Sequence, residues 1–199
     1  MPTVTELQAQ VAAESRLVDR ITATFARQLE TVLAGLDRQV RRLVNDLETK
    51  RGRLIATKAS LGRAVRLRTE LRAALTTAGF TDLAAAAVDA PLDALAATVL
   101  KGHTIAGRAA ALTPVNLDAL GALKDIRLAD LLELGERTSQ ALWRAPVDGV
   151  LGLRPVPDLV DELAAVTEVS ARQARTIYDT AVSTYGRTVD QLDLDGTPT

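Results

Sequence analysis

The chain has 199 residues and a formal net charge of −1, with 47% hydrophobic but only 3% aromatic residues. It has no cysteine and one histidine, which excludes disulfides, thiolate nucleophiles and histidine-rich metal sites. The apolar residues are mostly Ala, Leu and Val, which favour helices packed against one another. We therefore predict an all-α fold with no cofactor and no metal.

Residues 1–75 form the first predicted element, a long amphipathic helical region with a coiled-coil-like pattern. Apolar residues recur at steps of three or four, as in a heptad seam. The seam includes Leu43 and Leu47, and because an exposed apolar stripe is unfavourable in water, we expect these residues to contact a second copy of the chain or a partner helix. The region is one long helix or a helical hairpin, since each glycine inside a helix costs about 1 kcal/mol relative to Ala. The glycines are Gly35, Gly52 and Gly62.

Basic residues are concentrated within this first region. Residues 37–72 contain eleven basic and four acidic residues, so this stretch carries +7 and the rest of the chain −8. On a helical wheel six arginines lie opposite the apolar seam, and we call them the basic ridge. The ridge is either a surface for DNA or an acidic partner, or the solvated face of an amphipathic helix. Its members are Arg38, Arg41, Arg42, Arg53, Arg63 and Arg66.

Residues 76–145 are predicted to form a compact middle region of short helices. Pro91 can open one of them, because proline is favoured in the first turn of a helix, and Thr113 with Pro114 separates two others. Trp143, the only tryptophan, either packs inside this region or anchors an interface.

A cluster of prolines and glycines at residues 146–157 predicts a hinge. Residues 158–192 follow as a C-terminal helix pair, whose second helix is predicted to start at Ser170 with a capping box. Residues 193–199 are expected to form a tail that frays or extends to a partner.

The sequence offers little for catalysis. No nucleotide-binding or zinc-protease pattern is present, and no carboxylate lies within nine residues of His103. The chain is therefore predicted not to be an enzyme. We expect no membrane association either, because the N-terminus does not resemble a signal peptide and no run approaches the roughly 20 apolar residues that span a bilayer.

The last predicted helix carries both tyrosines, in the pattern Ile-Tyr-x-Thr followed by Thr-x-Tyr-Gly-Arg. This pattern resembles the signature of the tailed-phage minor head, or head morphogenesis, family of the Mu type. The resemblance implies a virion component near the portal or the inner capsid wall, made in the host cytoplasm and acting in head assembly or with packaged DNA. The matching positions are Val169, Ser170, Arg172, Ala174, Ile177, Tyr178, Thr180, Thr184, Tyr185 and Arg187.

Together these patterns predict a structural, non-enzymatic virion protein that binds a portal or capsid protein and associates with a second copy or a partner helix. Two alternatives stay open: a nucleic-acid-binding protein that uses the basic ridge, and a cellular coiled-coil adaptor or assembly factor. Residues at steps of three and four along the last helix predict a buried stripe that includes Tyr178 and Tyr185. The two rings are therefore expected either to be buried or to anchor an interface. The expected interface residues of the last helix are Ile177, Tyr178, Thr180, Tyr185 and Arg187.

Overall fold

The computed structural model describes residues 3–77, 80–107 and 112–195; within these ranges it leaves out the side chains of residues 43, 67, 68, 71, 72, 74–77 and 193–195. The described residues confirm the all-α prediction, with five helices and one minimal hairpin of two-residue strands. The elements in chain order are α1 (Val4–Asn45), β1 (Thr49–Lys50), β2 (Arg53–Leu54), α2 (Lys58–Thr77), α3 (Phe80–Ile105), α4 (Pro114–Leu151) and α5 (Val156–Asp195).

Threonine begins three of these helices. Thr3 and Glu6 form a reciprocal capping box at the start of α1: the Glu6 N–H donates to Thr3 Oγ1 at 3.2 Å, and the Thr3 N–H donates to Glu6 Oε2 at 2.8 Å. The bond from the Thr3 backbone lowers the pKa of the Glu6 carboxyl. Thr57 and Thr113 accept the backbone N–H three residues on, at 3.1 and 3.2 Å, and so cap α2 and α4.

Two compact units divide the chain, and neither follows the predicted contiguous boundaries. Unit 1 comprises Met1–Ala26, Ala84–Leu131 and Arg175–Thr199, and unit 2 comprises Arg27–Leu83 and Leu132–Ala174. The sequence prediction missed this arrangement because each unit combines segments that are distant in the sequence.

The core of unit 1 is centred on Tyr178 in α5. Pro91 lies inside α3 and has no N–H, so the carbonyl of Ala87, four residues earlier, lacks its usual helical donor. The Tyr178 hydroxyl donates to that carbonyl at 2.9 Å. The Phe25 ring of α1 stacks on the Tyr178 ring, with centroids 4.1 Å apart and the planes inclined at 26°. Tyr178 thus joins α1, α3 and α5, and α3 continues through the proline that was predicted to open a separate helix.

The core of unit 2 depends on close approaches between helices and the hairpin. A Cβ at Gly135 in α4 would lie 2.8 Å from two atoms of the Phe80 ring, and one at Gly149 would lie 3.2 Å from Leu54 Cδ1. At the present spacing a side chain at Gly135 would require the Phe80 ring to shift, and one at Gly149 would require Leu54 to move by a few tenths of an ångström. The buried apolar residues of this unit include Leu29, Leu33, Leu36, Val40, Val44, Leu47, Leu54, Phe80, Leu134, Leu142, Val150, Leu159 and Leu163.

The predicted C-terminal helix pair is wrong, and of the predicted hinge at residues 146–157 only residues 152–155 lie outside helices. Pro146 is buried inside α4, where packing overrides its poor helix propensity, and the chain leaves the helix only between Leu151 and Val156. Leu153 takes the left-handed conformation with a φ of 50°, and the Arg154 N–H donates to the Gly149 carbonyl at 3.0 Å to close the end of α4. The next helix, α5, then passes through Ser170 without a break.

Ser170 does not cap a helix because its hydroxyl has another partner. It accepts a hydrogen bond from Thr138 Oγ1 at 2.9 Å, between α4 and α5 in unit 2. Both side chains are buried. The position therefore contributes a polar contact between helices and not a helix start.

Among the described residues, α3 alone is long and apolar enough to cross a membrane, with a mean hydropathy of 1.6 over its most apolar window. The sequence prediction that no run approaches bilayer length did not recognise this helix. A core helix of a water-soluble protein has the same length and composition, and 44% of the window is buried inside the chain. The hydropathy of α3 by itself therefore indicates little about membrane association.

We expect Tyr178→Phe to lower the free energy of unfolding by about 1–3 kcal/mol, because it leaves the buried Ala87 carbonyl without its donor. In a Pro91→Ala background the residue-91 N–H can supply that donor, and the same change should cost much less. Chemical denaturation of the four proteins in a double-mutant cycle measures this coupling. Equal costs in both backgrounds would contradict the assigned role of Tyr178.

Gly135→Ala should destabilise the chain by about 1–3 kcal/mol, because the new methyl group would overlap the Phe80 ring. Gly121→Ala is the matched control in the same helix, where a Cβ meets no atom within 4 Å. There the better helix propensity of Ala should stabilise by up to about 1 kcal/mol. Thermal unfolding of both variants should give shifts of opposite sign; shifts of the same sign would show that the contact between Phe80 and Gly135 is looser than described.

The two tyrosines should make the fold sensitive to alkali. Burial raises the pKa of Tyr178 and of Tyr185 to about 12, above the usual value of about 10. The stability that their neutral phenols provide is therefore complete below about pH 10 and is lost as the pH rises towards 12. Tyrosinate absorbance should rise at higher pH in the folded chain than in the denatured chain, together with loss of helical circular dichroism. If tyrosinate absorbance rises at the same pH in the folded and the denatured chain, the two phenols are not buried.

Candidate functional site

An open cleft of about 430 Å³ lies within unit 1, between the first turns of α1, the last turns of α3 and the later part of α5. From α1 the cleft is lined by the apolar Leu7 and Val11 and the polar Gln10 and Glu14, and the α5 side carries Arg187 and Asp190. The cleft therefore brings apolar and charged side chains together. Its lining residues are Leu7, Gln10, Val11, Glu14, Val99, Gly102, His103, Ala106, Gly186, Arg187 and Asp190.

The floor of the cleft is formed by a close approach of α1 to α3. A Cβ at Gly102 would lie 3.2 Å from Gln10 Cγ, so only a small residue keeps the two helices at this distance. The Gln10 amide donates to the Thr98 carbonyl at 2.6 Å, and Gln10 is itself buried. The polar side chain is thus used to hold α1 against α3.

His103 forms the side of the cleft where α3 meets α5. It is buried, and its Nε2 lies 2.6 Å from Asp190 Oδ1. An ionised carboxylate only accepts hydrogen bonds, so Nε2 carries the proton and donates to Asp190. The pair fixes the orientation of the imidazole ring and links α3 to α5 at the open end of the cleft.

The cleft has little capacity for nucleophilic catalysis. A histidine held by an aspartate orients a base, but that chemistry also needs a hydroxyl or thiol beside the ring. None of the residues that line the cleft is a serine, threonine, tyrosine or cysteine. Among the described residues, no group of three or more His, Cys, Asp or Glu side chains could hold a metal ion.

The pattern on the last helix separates into a buried part and an exposed part. Tyr178 and Tyr185 are each only 1% exposed, which confirms the predicted buried stripe. Their prediction as interface residues is wrong, because the chain itself covers both rings. Ile177 is half-buried. Thr180 and Arg187 are exposed, and Arg187 lines the cleft. Of the predicted interface residues on α5, Arg187 is the one that lines the cleft.

The predicted interface residues outside α5 have different surroundings. Leu47 is buried within unit 2, so it is not available to a partner as predicted. The side chain of Leu43 lies outside the described part of the chain. Trp143 in α4 is half-buried. It is neither enclosed in the core nor fully exposed for an interface, the two alternatives that the sequence left open. Exposed apolar residues of the predicted seam lie at the start of α1, where Val11 is 65% exposed and Val4 and Leu7 are also exposed, and at Val65 of α2.

The basic ridge is not one helical face, because the chain turns at the hairpin. Its members lie on α1, on β2 and on α2, and a single helical wheel does not describe them. Arg41 donates to Asp37 Oδ2 at 2.6 Å, which raises the pKa of the guanidinium. Arg63 donates to the Asp46 carbonyl. The exposed members are Arg38, Arg42, Arg53, Arg63 and Arg66.

Sequence reasoning missed the pairing of His103 because Asp190 lies 87 residues away. One signal was available. Leu92, Leu95 and Val99 are buried at steps of three and four along α3, and His103 is the next position of this stripe. A histidine on a buried stripe needs a polar partner, and such a partner has to come from another element.

No model of a known protein family, no curated protein and no solved structure matches this chain. The resemblance of the last helix to the minor head signature accordingly stays a prediction. The cleft of unit 1 and the exposed surfaces of the two units are the features from which a function can be argued.

Proposed function

We propose that the chain is a structural, non-enzymatic component of a phage or phage-like particle, associated with the portal and acting in head assembly or in DNA packaging or ejection. On this proposal it is present in the host cytoplasm during assembly and then in the virion. It docks on a portal or capsid protein through the cleft of unit 1. The observation that carries the proposal is that Gly186 and Arg187, the end of the pattern shared with minor head proteins, line this cleft.

The division of the pattern into buried and exposed residues supports docking at this site. Tyr178 and Tyr185 fix α5 in the core of unit 1 and so hold Arg187 in a constant position. A rigid helix presents an interface residue at a lower entropic cost than a loop does. Arginine is also among the residues that contribute most to binding at protein interfaces.

The chemistry of the cleft suits a protein partner. Leu7 and Val11 provide exposed apolar surface next to Arg187, and burying such surface contributes about 25 cal/mol per Å². Val4, Leu7 and Val11 lie at helical steps of three and four, which suits contact with a helix from a partner. That helix belongs to a portal or capsid protein or to a second copy of the chain.

The proposal is tested in the phage or prophage that encodes the chain, whose portal and large terminase genes are expected beside it. Val11→Asp with Arg187→Glu should lower incorporation into purified particles at least about tenfold, because it removes apolar surface and reverses a charge at the cleft. Quantitative mass spectrometry of particles measures the incorporation.

The matched control carries the same chemical changes in unit 2 and outside the shared pattern, where Val65 of α2 and Arg144 of α4 are exposed. Val65→Asp with Arg144→Glu should enter particles at the wild-type level. Absence of the wild-type chain from particles would reject the virion role. Equal incorporation of both double variants would reject the cleft as the docking site.

A further inference from the structure

The hairpin of unit 2 places three cations on a very short turn. Its strands are joined by Arg51 and Gly52, with φ values of 52° and 74°, as in the type I′ turn of two-residue hairpins. Lys50 and Arg53 are partners in the register and therefore stand side by side on one face. We call Lys50, Arg51 and Arg53 the hairpin tip, and all three residues are exposed.

Two features of the hairpin tip are unfavourable for the isolated hairpin. The first turn position usually holds Asn, Asp or Gly, because a positive φ strains other side chains, yet here it holds Arg51. Like charges directly opposite each other on paired strands also repel, as Lys50 and Arg53 do. Residues that break local rules in this way are expected where a sequence serves a function.

The rest of the hairpin is held firmly in unit 2. Leu54 is completely buried, and its N–H donates to the Arg154 carbonyl at 3.0 Å. The Val156 N–H donates to the Gly52 carbonyl at 3.2 Å, so the turn itself is attached to the start of α5. The backbone that carries the three cations is therefore hydrogen-bonded to the rest of unit 2.

The charges around the hairpin tip favour a polyanion. Residues 49–58 contain four basic residues and no acidic one. On α1, Arg38 and Arg42 are exposed in the same unit. The exposed face of the hairpin has no apolar side chain, whereas the centre of a protein interface is usually built from aromatic and aliphatic residues.

We propose that the hairpin tip binds the phosphodiester backbone of a nucleic acid. Lys and Arg side chains that neutralise phosphates release counterions, which gives affinity without sequence preference. A two-stranded ribbon is also narrow enough to enter the major groove of duplex DNA. This inference concerns unit 2 and holds whether or not the cleft of unit 1 docks on a particle.

The test measures binding of the purified full chain to a labelled DNA duplex and to a labelled single-stranded RNA by fluorescence anisotropy over a range of salt concentrations. We expect a Kd on the order of 10⁻⁴–10⁻⁶ M at physiological salt for at least one probe, equal for unrelated sequences. Lys50→Gln, Arg51→Gly and Arg53→Gln together should weaken binding about tenfold or more. For duplex DNA they should flatten the slope of log K against log salt by about 2–3.

The matched control removes three exposed charges from unit 1, by Arg16→Gln, Arg20→Gln and Lys101→Gln, and should bind nearly as the wild type does. Arg51→Gly alone separates binding from folding, since it removes a cation while relieving the positive φ: binding should weaken and the melting temperature should not fall. The proposal is overturned if the wild type binds neither probe even at low salt. It is equally overturned if the control loses as much affinity as the hairpin variant.

Discussion

The hydrogen bond from the Tyr178 hydroxyl to the Ala87 carbonyl is the contact on which the core of unit 1 depends. Pro91 removes the backbone donor of that carbonyl, and because Ala87 is buried, the carbonyl needs a donor from within the chain. The hydroxyl supplies the missing donor from α5, and the stacked Phe25 ring brings in α1. One side chain therefore satisfies the backbone of α3 and fixes the position of α5, including the segment that lines the cleft.

In unit 2, backbone groups supply the hydrogen bonds that hold the elements together, and glycines allow their close packing. The hairpin would be only marginally stable alone, but the Arg154 carbonyl and the Val156 N–H extend its hydrogen bonding to the turn between α4 and α5. Gly149 lets Leu54 reach the core, and Gly135 does the same for Phe80. The consequence is a rigid hairpin whose buried side packs in the unit and whose other side is available to solvent.

The two units present surfaces of different chemistry. The cleft of unit 1 combines exposed Leu7 and Val11 with Arg187 and Asp190, a mixture that suits a protein partner. The hairpin tip of unit 2 is cationic and has no apolar component, which suits phosphate. A chain with a net charge of only −1 can have both surfaces because its basic residues are concentrated between positions 37 and 72.

The sequence by itself determined that the fold is all-α, because apolar residues at steps of three and four define helices locally. It also determined that basic residues are concentrated between positions 37 and 72. Only the tertiary structure decided that Pro91 and Pro146 stay inside helices, that the Tyr178 hydroxyl donates to the Ala87 carbonyl, and that His103 is paired with Asp190. The physical reason is that a helical pattern depends on neighbours within one turn. The partner of a buried hydroxyl, imidazole or carbonyl, in contrast, comes from a residue that is remote in the sequence.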